Sequence, residues 1–180
     1  MKVDVLVDCE GSFATVGEVF PAVDSDERWW LPVNCVLVRT DSETVLIDTG
    51  LGPQPRTFLP ELDTKLIDEL ARHDVAPTDV DVVVHTHMHV DHVGWDGSFP
   101  NAGYVVHEDD WAFFMTDEQL AERPHLQRVG SLERVELVNR STEVVPGVEL
   151  ADDGTEVIVS HFRDAGHFER HGKGFRWSVE

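Results

Sequence analysis

The sequence predicts an α+β fold, a mixed sandwich of sheets and helices. Strand-like segments come in hairpin groups, and helical segments are interspersed among them. That order differs from the strict strand–helix alternation of a doubly wound sheet. The 180 residues and 41% hydrophobic content suit one well-cored domain over 1–180.

The elements follow in chain order. Residues 2–8, KVDVLVD, alternate polar and apolar and predict a strand. Residues 11–32 are mixed, carry Trp29 and Trp30 before Pro32, and read as a covering loop. VNCVLVRT (33–40) and TVLID (44–48) predict a hairpin around the turn Asp41-Ser42-Glu43. Thr49-Gly50-Leu51-Gly52-Pro53 then breaks the pattern. Leu59, Leu62, Leu66 and Leu70, at spacings of three and four with Pro60 near the start, predict an amphipathic helix over 58–73. Asp81-Val82-Val83-Val84 is a β-branched run of the kind that forms a buried strand. Beyond the histidine-rich segment that follows, 103–106 predicts a strand and 108–122 one or two short helices. Strands are expected over 134–138, 143–150 and 155–162, with a turn at Pro146-Gly147 and a glycine-containing hairpin over 166–180.

The formal net charge is −21, from 35 acidic against 14 basic residues. Such a surface repels polyanions, which argues against nonspecific nucleic-acid binding and against an anionic membrane surface. It does not argue against a small anionic substrate held by a metal. Cys9 and Cys35 are the only cysteines, too few for a disulfide framework, so reduced thiols and a cytoplasmic location are expected. No apolar run approaches membrane-spanning length, and the N-terminus carries no long apolar stretch.

Residues 85–92 read HTHMHVDH. If 87–89 stay extended, His87 and His89 point to one side, because side chains in extended chain alternate with period two. Asp91 and His92 follow a turn later and can face a second point nearby. Imidazole with carboxylate is the donor set that borderline metals such as zinc favour. Packing alone explains such a cluster poorly, since every buried polar group would need its own partner. His85 lies on the strand side of Thr86 and reads as a neighbour of the site, not a ligand. His73, His125, His167 and His171 read as solvated surface histidines, and His107 as packed after its strand.

THMHVDHVGW (86–95) resembles the THxHxDHxG signature of the metallo-β-lactamase fold superfamily. VLIDTGLG (45–52), FPNAGYVVHEDDW (99–111), SHF (160–162) and GKGFRW (172–177) resemble further segments of its lactonase-like members. The resemblance implies an αββα sandwich in which His87 and His89 bind a first metal. Asp91, His92 and His161 would bind a second, and Asp48 would support the site from behind. Zinc, as one or two ions, is the implied cofactor, with other divalent metals as alternatives. Metal ions of this kind bring the pKa of bound water near neutrality, and Asp91 would accept or relay a proton as the leaving group departs.

The chain departs from the family pattern between Thr142 and Phe162. It runs TEVVPGVELADDGTEVIVSHF, with no room for the family's Gly-His segment or its bridging aspartate. The join falls near Glu149-Leu150-Ala151, so the fold is expected to be shortened in its second half. Asp152, Asp153, Asp164 and His167 lie near enough to be considered as substitutes, and their spacing singles out none. A shortened sheet would leave an exposed edge or favour a homo-oligomer.

Two readings follow. One is a zinc-dependent hydrolase of a small-molecule ester, lactone or related substrate, with Trp29, Trp30 and Trp95 either lining an apolar pocket or packing in the core. The other is a catalytically impaired relative that serves at most as a metal-binding or interaction module. A closed structural zinc site is disfavoured because neither cysteine lies near the histidines.

Overall fold

A computed structural model of the chain describes residues 1–20, 22–53, 62–139, 141–151 and 176–179. Strands β1 (Lys2–Thr15) and β2 (Arg28–Arg39) form a long antiparallel hairpin, joined by the single-turn helix α1 (Val16–Val19). Strand β3 (Thr44–Ile47) returns antiparallel to β2, and β4 (Val82–Val84), β5 (Gly103–His107) and β6 (Val135–Val138) then add in parallel. The sheet order is β1-β2-β3-β4-β5-β6. Helices α2 (Leu66–Arg72), α3 (Glu108–Phe114), α4 (Asp117–Glu122) and α5 (Leu126–Val129) lie in the connections. A second antiparallel sheet contains β7 (Thr142–Val145), β8 (Val148–Ala151) and β9 (Arg176–Val179). No helix among the described residues is long and apolar enough to cross a membrane.

The two faces of the large sheet bury different cores. On one, Leu66 and Leu70 of α2 pack with Leu6, Cys35, Leu37, Leu46, Val83 and Tyr104. On the other, Val38, Val45, Ile47, Val84 and Val105 meet Val145 and Val148 of the second sheet. Strands β3, β4 and β5 are covered on both sides, as parallel strands in mixed folds usually are. Each leucine or valine fully buried here contributes roughly 1.5–3 kcal/mol against unfolding.

Two expectations need correction. Residues 11–32 are not a loop over their whole length, because β1 runs on to Thr15 and β2 begins at Arg28. The ladder continues through Gly11↔Leu31 and Ser12↔Trp30, with register shifts between Val7 and Cys9 and between Ser12 and Ala14. Exposure alternates along the start of β2, but Trp30 and Pro32 stand on the exposed face, so the residue types show little apolar alternation to read. Thr15 and Glu18 form a capping box that starts α1, and Phe20 stacks on Trp29 at 4.6 Å between ring centroids. Trp30 is 67% exposed.

The helix expected over 58–73 begins only at Leu66; residues 54–61, including Leu59, lie outside the described residues. The start is set by Asp8, whose carboxylate Oδ1 accepts from Lys65 N (3.1 Å) and Leu66 N (2.9 Å). It thereby satisfies amide donors that a helix leaves open at its beginning. Leu62 instead packs on Cys9, Val33 and Leu51. The strand expected over 155–162 and most of the 166–180 hairpin lie outside the described residues; Arg176–Val179 is a strand, as expected.

Candidate metal centre

Strands β3 and β4 run parallel and end side by side, since Ile47 pairs with Val84. Their C-terminal ends deliver Asp48 and the histidine segment to the same edge. Asp48 has φ 59°, a left-handed conformation that aspartate tolerates better than most residues, at a cost of about 1–3 kcal/mol. Its backbone N donates to Val84 O at 2.8 Å. Its carboxylate then faces the loop. Oδ1 accepts from Thr86 N (2.8 Å), and Oδ2 accepts from Thr86 Oγ1 (2.7 Å) and from His92 Nδ1 (2.8 Å).

Met88 is fully buried against Val93, Val106, Phe114, Leu126 and Val129. The His87 and His89 rings meet edge to face at 4.7 Å between centroids, and His89 also meets Phe114 edge to face at 5.4 Å. The chain turns next, with His92 N donating to His89 O at 3.0 Å. This turn folds the His92 ring back beside His87, at 3.9 Å between ring centroids. Asp91 Oδ2 lies 3.6 Å from His92 Nε2. The structure thus gathers His87, His89, Asp91 and His92 in one place with Asp48 behind them. His161 lies outside the described residues. Among the described residues, no group of three or more His, Cys, Asp or Glu side chains is arranged to hold an ion as it stands. The donor chemistry nonetheless suits zinc. Asp48 accepts a hydrogen bond from His92 Nδ1, which would leave the Nε2 lone pair available to an ion, the usual arrangement behind a ligating imidazole.

Two loops carry these groups, and their backbones interlock. Thr49 N donates to His92 O (2.7 Å), Gly94 N to Gly50 O (2.7 Å) and Trp95 N to Thr49 O (3.1 Å). A Cβ on Gly94 would lie 2.0 Å from Leu51 C, and one on Gly52 would lie 2.0 Å from Gly94 O. Only glycine allows this approach.

Sequence reasoning missed Asp8 and Asp96, and it placed His85 beside the site without its partner. Asp8, fully buried, accepts from Leu51 N, Gly52 N and Trp95 Nε1 as well as from the start of α2. An acid at the inward position after Leu6 in an alternating strand was the available signal. Trp95 is thus partly buried against the core around α2 and anchored there through its Nε1. Asp96 and His85 form the second feature, a buried pair in which His85 Nε2 donates to Asp96 Oδ2 at 3.0 Å. His125, read as solvated, is half-buried at the start of α5.

The electrostatics follow from this geometry. Burial opposes the charge on Asp48, yet His92 and His85 hold its carboxyl well below the usual carboxylate range. Burial likewise opposes protonation of His85, but Asp96 and Asp48 prevail and push its imidazole up to about 10. His92 is raised in the same way by Asp48 and Asp91, against burial. Burial pushes Asp110 on α3 up to about 7 despite the pull of His85, and lowers His125 to about 4 with help from Arg123 and Arg128.

A mixed sheet ends in a histidine-rich loop, with a buried carboxylate behind one imidazole. The chain belongs to the metallo-β-lactamase superfamily, whose family model matches residues 28–174. Among curated relatives, the N-acyl homoserine lactonase AiiA of Bacillus thuringiensis subsp. kurstaki is 28% identical over 138 residues, covering 67% of this chain and 52% of that protein. AiiB of Agrobacterium fabrum (strain C58) is 26% identical over 151 residues, covering 69% and 54%. The chain therefore spans about half the length of the curated relatives it matches. Among solved structures, a probable metal-dependent hydrolase from Staphylococcus aureus superposes with a TM-score of 0.68 at 24% identity, covering 86% of this chain and 64% of that one. An N-acyl homoserine lactone hydrolase holding N-hexanoyl-L-homoserine at its catalytic metal centre gives 0.61 at 24% identity, covering 84% and 64%. These structural likenesses show the fold.

Proposed function

We propose that this chain carries the metal-binding half of a zinc-dependent hydrolase centre acting on a small ester or lactone. The observation that supports this most is the gathering of His87, His89, Asp91 and His92 above Asp48. His161 is proposed as a further donor. A bound zinc ion would supply a water of near-neutral pKa and polarise a carbonyl oxygen. The chain's own residues divide the remaining work. His87, His89 and His92 hold imidazole donors together. Asp48 fixes the tautomer of His92. Asp91 takes or returns a proton at its carboxylate as the leaving group departs. Phe114, edge-on to His89 at 5.4 Å, shields that ring from water.

The lactone class is proposed from the lactonase relatives, and the −21 charge supports a small substrate over a nucleic acid. A cytoplasmic location, supported by a pair of buried cysteines, Cys9 and Cys35, and assembly as a homo-oligomer complete the proposal. A second reading, a metal-binding or interaction module without turnover, is favoured by two observations. The chain spans only half of its lactonase relatives, and no ready three-donor group stands among the described residues. Zinc content and hydrolysis of a chromogenic lactone or ester separate the two. The hydrolase reading expects bound zinc and turnover that is lost in His89→Ala. Bound zinc without turnover supports the module.

A further inference from the structure

We propose that the buried pair His85–Asp96 is a clasp that closes the metal loop and positions His92 as a donor. This inference rests on the reading that His87, His89, Asp91 and His92 hold zinc. His85 and Asp96 stand at the two ends of the segment that carries those residues, and both are 1% exposed. Their side chains meet at 3.0 Å, His85 Nε2 donating to Asp96 Oδ2, so the loop is closed on itself by a side-chain bond.

The clasp lies between two grips on His92. At one end, Asp96 Oδ1 accepts from Thr49 Oγ1 at 2.8 Å, and Thr49 N holds the His92 carbonyl at 2.7 Å. At the other end, His85 Nδ1 lies 3.9 Å from Asp48 Oδ1, and Asp48 Oδ2 accepts from the His92 imidazole at 2.8 Å. Backbone and ring of His92 are thus fixed by Thr49 and Asp48, neighbours in sequence. His85–Asp96 braces the pair from below. Asp96 is further located by the next residue, whose N donates to Tyr104 Oη at 3.1 Å on β5.

A polar pair at this depth has a plainer use, which is simply to satisfy two buried groups. The two roles make different demands. A pair kept only for burial is replaceable by well-packed apolar side chains with little change in stability. A clasp that sets donor geometry is not, because supporting partners of metal ligands govern affinity by 10–100-fold.

The test is the double variant His85→Leu with Asp96→Leu, alongside Asp96→Asn. Each is measured as full-length chain by chemical denaturation without metal, by zinc competition titration, and by the visible d–d spectrum of the cobalt(II)-loaded protein. The clasp predicts a zinc affinity at least tenfold weaker in the double variant, with denaturation midpoint near that of the parent and an altered cobalt spectrum. Asp96→Asn, which keeps shape and one acceptor, is predicted to lose about threefold to tenfold. If the double variant does not fold, Asp96→Asn decides alone. Parent-like affinity and cobalt spectrum in the folded variants overturn the clasp while leaving the metal site standing. Absence of stoichiometric zinc on the parent chain overturns the site itself and the clasp with it.

Discussion

Replacing Asp48 by asparagine isolates the carboxylate behind the site. The side chain keeps its size, and asparagine tolerates the left-handed φ of 59° as aspartate does. Oδ1 can still accept from Thr86 N. At the other position an NH2 replaces the oxygen that accepts from Thr86 Oγ1 and His92 Nδ1 at 2.7 and 2.8 Å. Hydrogen bonds to a charged acceptor are each worth about 1.5–3 kcal/mol. Two are lost, and the amide regains part by donating to one of the former donors. The metal-free protein is therefore predicted to lose about 2–4 kcal/mol in urea denaturation. The effect on metal is more specific. If the amide donates to His92 Nδ1, that imidazole must carry its proton on Nε2, where the metal-facing lone pair was. Zinc affinity is predicted to fall about 10–100-fold by competition titration. Stability within about 0.5 kcal/mol of the parent, together with zinc affinity within about twofold, would refute the reasoning.

Three further outcomes follow from the same geometry. Gly94→Ala forces a Cβ to 2.0 Å from Leu51 C and 2.4 Å from Gly52 N, so the interlocked loops must part; a loss of about 3 kcal/mol or more in thermal or urea denaturation is expected. Asp8→Ala removes acceptors from Leu51 N, Gly52 N, Leu66 N and Trp95 Nε1, and is expected to destabilise by about 3–5 kcal/mol and to shift the tryptophan emission of Trp95. In chelator, the pH dependence of melting tests the charges. His85, raised to about 10, and His92, also raised, contribute fully below about pH 6.5 and lose that contribution as pH rises, for His85 towards 10. Asp48, lowered, contributes above about pH 4 and loses that contribution on acidification. Asp110, raised to about 7, and His125, lowered to about 4, act in opposite directions between about pH 4 and 6.5; the metal-free chain should therefore melt highest in that range, and a flat profile from 6.5 to 10 would contradict the buried histidine charges.

Much of this architecture was legible because it depends on short-range pattern. The valine run of β4 and the alternating start of β1 needed only neighbours in sequence. Asp48 was legible through the family resemblance, since nothing in VLID alone marks its carboxylate as facing a loop 38 residues later. Long-range polar pairing was not legible. Asp8 meets Trp95 across 87 residues, and His85 meets Asp96 only because the intervening loop folds back. The late start of α2 has the same origin, because the leucine spacing ran on upstream of Leu66 while the cap came from β1. The outer halves of β1 and β2 were missed for the opposite reason. Cross-strand pairing holds them there, and Trp30 and Pro32 on the exposed face of β2 hid the alternation of burial from the residue types. His125 looked solvated because nothing around it in sequence reports the packing of α5 beneath Met88.

The central claim is that the loop after β4 holds zinc through its histidines. Zinc titration into chelator-stripped, full-length chain, followed by metal analysis after gel filtration, tests it most directly. The account predicts at least one zinc retained per chain, lost when His87 and His89 are both replaced by alanine. A parent chain that retains no zinc, or a double variant that retains as much as the parent, would contradict it.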